Sequence, residues 1–111
     1  MVDRKFFELV IGTEVMGVTY VPKVCTYEEG FSYTLYGGEG KFINIYEYAY
    51  KAKQLLVSYG YAVETTAYCD RAEAILYDKD LNEIYREEGV SEKGALISLA
   101  DMWYNDPLQN R

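Results

Sequence analysis

Histidine is absent from the sequence, and much catalytic chemistry goes with it. A Ser-His-Asp or Cys-His nucleophile needs an imidazole to take its proton, and the usual zinc centre draws on closely spaced cysteine and histidine ligands. The two cysteines, Cys25 and Cys69, lie far apart and form no CxxC, so they are expected to be buried, reduced thiols. Proline is scarce as well, with Pro22 and Pro107 alone, and there is no linker, repeat or low-complexity stretch. No apolar run approaches the roughly 20 residues that span a bilayer. No signal-like segment follows Met1, which predicts a protein that stays in the cytosol and off membranes. Positive charge is in short supply too. Eighteen acidic residues face eleven basic ones, a formal charge of −7. Such a surface repels nucleic-acid backbones, so direct DNA or RNA binding is not expected. It suits solubility, and also an acidic surface that occupies a protein's nucleic-acid groove.

What remains is a chain of 111 residues, half of them apolar and thirteen of them tyrosine. That length predicts a single domain over residues 1–111 with one core. Residues 3–16 place Phe7, Val10, Ile11 and Val15 near helical spacing, which predicts a helix ended by Gly17. Residues 18–38 alternate β-branched and aromatic residues with turn residues. Pro22 permits only edge strand or loop there, and a hairpin about Gly30 is expected. From Phe42 onward, an advance of about 100° per residue gathers Phe42, Ile45, Tyr48, Ala49, Ala52, Leu55, Leu56 and Tyr59 on one arc. This predicts an amphipathic helix over 42–59 with Gly60 as its stop. Tyr48 and Tyr59 are then core, Tyr46 and Tyr50 marginal, and Tyr61 part of the next strand.

Residues 61–68, 71–78 and 83–88 alternate with period two between turn residues, the pattern of a three-stranded antiparallel meander. Ser91 is placed to cap a last helix in which Leu96, Leu99, Ala100 and Trp103 recur on one face. The expected class is α+β, a meander packed with helices in a layout like an α/β/α sandwich.

Three stretches invite a chemical reading. "DKDLNE" (78–83) opens like a calcium loop, with Asp78, Asp80 and Asn82 at alternate positions. Glu83 then stands where a glycine is needed and Gly89 where a bidentate glutamate is needed, so a hairpin turn is expected and no metal. "YGGEGKF" (36–42) lacks the spacing of a phosphate loop. Gly37, Gly38, Gly40 and Lys41 nevertheless precede the long helix, whose N–H groups and dipole could hold an anion or nucleotide. The carboxylates Glu28-Glu29, Glu87-Glu88-Glu92 and Asp101-Asp106 have no histidine to work with and read as solvated faces.

"FELVIGTEVMG" (7–17), "NIYEYAYKAKQLLVSYGY" (44–61) and "GALISLADMW" (94–103) together resemble the phage ABA-sandwich domain family. Glu14, Val15, Met16 and Gly17 match the end of that family's opening helix, with Val18 in place of its tryptophan and Ser91 in place of its proline-led last helix. The resemblance brings no catalytic residue and no cofactor. It implies a phage-encoded, non-enzymatic protein of the bacterial host cytoplasm that inhibits a host factor, such as a component of defence. The expected contact with a host protein is an acidic, tyrosine-bearing surface made by Tyr46, Tyr50, Glu87 and Glu88. Sequestration of a nucleotide-type signal near Gly37–Lys41 is the alternative, and a virion accessory or assembly role is another. Homo-oligomerisation stays open.

Overall fold

The computed structural model describes residues 3–107, and the chain divides after Lys51 into two units. The class is α+β, and the described residues form three helices and two three-stranded antiparallel sheets.

In the first unit, the Asp3 carboxylate accepts the N–H groups of Lys5 and Phe6 and starts α1, Arg4–Ile11. The helix stops sooner than the sequence predicts. Gly12 takes a left-handed φ of 81° and gives its N–H to the Glu8 carbonyl, so Gly12 and not Gly17 is the C-cap. The Glu8 carboxylate accepts the Val15 N–H at 2.8 Å, and Val15 opens a strand instead of completing the helix.

That strand, β1 (Val15–Val21), pairs with β2 (Gly30–Leu35), which pairs with β3 (Gly40–Asn44). The hairpin expected about Gly30 is replaced by this longer-range pairing, in which Tyr20 faces Phe31 and Val21 faces Gly30. Pro22 follows the last paired residue, and residues 22–29 form a loop closed by one Val24–Tyr27 bridge. Gly30 is required for close approach, since a Cβ there would lie 2.2 Å from the Ile43 carbonyl oxygen and 2.8 Å from the Asn44 Cα. Phe7 is the hub of an aromatic cluster, with its ring 5.5 Å from Phe31, 5.2 Å from Tyr33 and 5.5 Å from Tyr48. Burying one such ring stabilises by about 1.5–3 kcal/mol.

The long helix, α2, runs Ile45–Ser58 and therefore starts three residues after the predicted Phe42. Gly37 and Gly38 turn the chain with φ of 106° and 93°, and residues 40–44 are drawn into β3. Phe42 then points to the sheet's more open side and is 48% exposed, while Ile43 is buried. Asn44 ends the strand and caps the helix, its Oδ1 accepting the Glu47 N–H at 2.9 Å. Ile45, Tyr48, Ala49, Ala52 and Leu56 are the buried positions, at helical spacing. At the far end Gly60 donates to the Val57 carbonyl and Tyr61 to that of Leu56, a Schellman stop around a φ of 95°.

In the second unit, β4 (Ala62–Ala67), β5 (Ala72–Tyr77) and β6 (Glu83–Gly89) form the meander that the alternation predicts. Ser91 accepts the Gly94 N–H and starts α3, Glu92–Asn105, which lies against this sheet. Ala72, Ala74 and Leu76 give the sheet a flat buried face, and Ala95, Leu99, Ala100 and Trp103 give the helix its buried side. A Cβ on Gly89 would come within 2.7 Å of the Ala95 nitrogen, so α3 starts close over the end of β6. Tyr59, expected in the core, is 56% exposed because it lies just past the end of α2, where helical phase no longer applies. One part of its ring rests on Trp103 at 5.1 Å. Among the described residues, no helix is long and apolar enough to cross a membrane.

Candidate functional site

Tyr46 and Tyr50 stand one turn apart on the first half of α2, on the side away from Ile45, Tyr48 and Ala49. They are 68% and 59% exposed, whereas Tyr48 between them is 2% exposed. Glu47, also exposed, sits beside them in the first turn. The backbone of this turn is held by the Asn44 cap, so the two rings project from a fixed base. Their phase on the helix is the marginal one that the sequence predicts.

The other expected contact residues are arranged differently. Glu87 and Glu88 are neighbours in β6 and so point to opposite faces of the sheet. Glu88 shares the more open face with Arg71, 3.5 Å away, while Glu87 is half-buried on the side that α3 covers. They form no single anionic patch. Gly37, Gly38, Gly40 and Lys41 do not lie at the start of a helix. They make the β2–β3 hairpin turn and the first residues of β3, and the Lys41 ammonium lies 3.4 Å from the Glu39 carboxylate. The N-terminus of α2, expected to face an anion, begins with its own Asn44 cap. Cys25 and Cys69 are exposed, contrary to expectation, because each falls in a polar turn. In "DKDLNE", one Asp78 oxygen accepts the N–H groups of both Asp80 and Asn82 at 2.9 Å. These bonds, that from Asn82 first, hold the Asp78 carboxyl below its ordinary pKa.

Sequence reasoning missed the side-chain lattice on the open face of the second sheet. The Tyr77 hydroxyl donates to Glu64 at 2.7 Å, and Arg86 reaches both Glu73 and Glu83 at 2.8 Å. The register of β4 against β5, which the two-residue turn at Cys69-Asp70 fixes, sets the Tyr77–Glu64 pair, and that of β5 against β6 brings Arg86 to Glu73. In the first unit, the Tyr20 hydroxyl likewise donates to Glu29. The hydrogen bond to its carboxylate is the leading cause that raises each tyrosine's pKa. Both hydroxyls therefore stay protonated at neutral pH and serve as donors, not as bases or nucleophiles. Beside the Glu64–Tyr77 pair lies a hollow of about 350 Å³ lined by Ala62, Val63, Glu64, Tyr77 and Leu81.

No protein-family model, curated protein or solved structure matches the chain.

Proposed function

We propose that the protein is a phage-encoded, non-enzymatic binding protein that inhibits a factor of its bacterial host in the host cytoplasm, with a defence component as the target. The exposed Tyr46–Tyr50 pair carries this reading. Tyrosine has only two side-chain torsions to freeze, offers a large apolar face with a polar tip, and is enriched among the residues that dominate interface energetics. A folded helix that leaves two of them more than half exposed keeps part of their burial free energy for a partner. The formal charge of −7 supports a basic partner surface, the kind that handles nucleic acid. The resemblance of residues 7–17, 44–61 and 94–103 to phage ABA-sandwich proteins supplies the biological setting, although Val15, Met16 and Gly17 lie in β1 and not in the opening helix.

The test is affinity capture from bacterial lysate with the wild-type protein and with the Tyr46→Ala/Tyr50→Ala double variant, followed by an activity assay of whatever is captured. We expect one host protein to be retained by the wild type and lost by the double variant, and its activity to fall when the wild type is added. Capture that survives the double substitution, or a captured factor whose activity is unchanged, counts against the reading.

A further inference from the structure

Among the described residues, four strands lie at sheet edges, and three of them carry devices that discourage pairing. Strand β1 has a register shift between Val15 and Gly17 and is followed by Pro22. Strand β3 is five residues long and contains Gly40 and Lys41. Strand β6 is bulged opposite Leu76–Tyr77 and carries Glu83, Arg86, Glu87 and Glu88. Bulges, short length and charge are how natural sheets protect their edges. Strand β4, "AVETTA", has none of these beyond the single charge of Glu64.

The register identifies which backbone groups this edge presents. The Tyr68 N–H donates to the Arg71 carbonyl at 2.7 Å and closes the β4–β5 hairpin. In an antiparallel ladder, hydrogen-bonded and non-hydrogen-bonded pairs alternate. The pairs Thr66–Glu73, Glu64–Ile75 and Ala62–Tyr77 therefore bond inward, and Val63, Thr65 and Ala67 aim their N–H and C=O groups away from β5. The hollow lined by Ala62, Val63, Glu64, Tyr77 and Leu81 adjoins the start of this same edge.

We propose that β4 is a docking edge for an extended, cationic segment of a partner protein, which adds to the sheet as a fourth strand. Strand addition takes its affinity from main-chain hydrogen bonds and its selectivity from alternate side chains. Here the bonds are made at Val63, Thr65 and Ala67. Alternate side chains of the incoming strand fall on the face that bears Glu64. At its Ala62 end, an aliphatic side chain fills the hollow. Asp78 and Asp80 stand in the turn that also carries Leu81, so a basic segment is favoured. A second copy of this chain, with its formal charge of −7, is disfavoured by the same charges.

The experiment follows backbone amide exchange of the full chain by NMR while a capped hexapeptide alternating lysine and valine is added. A hexapeptide alternating glutamate and valine is the control. We expect the lysine probe to slow exchange at Val63, Thr65 and Ala67 by about tenfold or more at saturation, with little change at Glu64 and Thr66 and no effect of the control. Thr65→Pro removes an outward N–H from an edge position that proline tolerates, and should abolish the protection. Glu64→Lys, at an exposed position, should transfer the preference to the glutamate probe. Unchanged exchange at the three amides with millimolar lysine probe would overturn the proposal, as would equal protection by both probes. Protection that instead grows with protein concentration, without probe, would assign the edge to a second copy and overturn it equally.

Discussion

Three consecutive even positions on α2, Tyr46, Tyr48 and Tyr50, carry one residue type in two environments. Tyr48 packs against Phe7 and Phe31, with ring centroids at 5.5 and 4.5 Å, and is buried. Truncation there opens a cavity that a cluster of rings cannot close, so Tyr48→Ala should cost about 3–5 kcal/mol. Tyr46→Ala and Tyr50→Ala truncate rings that are more than half exposed and should each cost no more than about 1 kcal/mol. Denaturant midpoints at constant slope distinguish the two classes. A second residue-scale effect comes from Asp78. Its carboxyl is held below the ordinary value by N–H donors that the folded turn supplies. A depressed carboxyl contributes stability that is present above its unfolded pKa and lost as pH falls through the folded one. We therefore expect Asp78→Ala to lower the melting temperature at pH 6, with the gap from wild type closing from about pH 4 downward. A gap that is constant from pH 6 to pH 2 would contradict the assignment. Helical phase placed Tyr46 and Tyr50 at the margin of the apolar arc, and the structure exposes them further, to 68% and 59%. The exposure of Tyr59 was not legible, because phase has no meaning once Gly60 has ended the helix.

Elements whose determinants are local were legible, and those that depend on distant pairing were not. The meander and the Ser91 cap follow from alternation, turn residues and a hydroxyl placed before an apolar run. The first sheet depends on β1 finding β2 across an eight-residue loop, residues 22–29, and no local pattern specifies that partner. Phe42 fits the apolar arc of a helix and the alternation of a strand equally well. The hairpin turn at Gly37-Gly38 and the Asn44 cap decide for the strand. If so, Asn44→Ala should destabilise by about 1 kcal/mol, with amide exchange accelerating first over residues 45–48. Exchange that is unaltered there would contradict Asn44 as the start of α2. The open edge of β4 was likewise hidden from the sequence. "AVETTA" reads the same in a central strand as at an edge, and only the sheet order distinguishes them.

At the scale of the whole molecule, the absence of histidine and the excess of carboxylates were already visible in composition, and the recognition role proposed above draws on both. The separation of Glu87 from Glu88 onto opposite faces was implicit in strand alternation, although their adjacency in the chain suggests a pair. What composition could not supply is a surface with fixed geometry. The Asn44 cap and the buried Tyr48 supply it by anchoring the turn from which Tyr46 and Tyr50 project. The central claim is that this pair binds a host protein, and it is tested most directly by titrating the captured host factor with matched folded concentrations of wild type, Tyr46→Ala, Tyr50→Ala and the exposed-face control Glu92→Gln. At least one tyrosine variant should lose about tenfold or more in apparent affinity, roughly 1.4 kcal/mol, beyond any loss of stability, while Glu92→Gln inhibits as the wild type does. Wild-type inhibition by both tyrosine variants would contradict that claim.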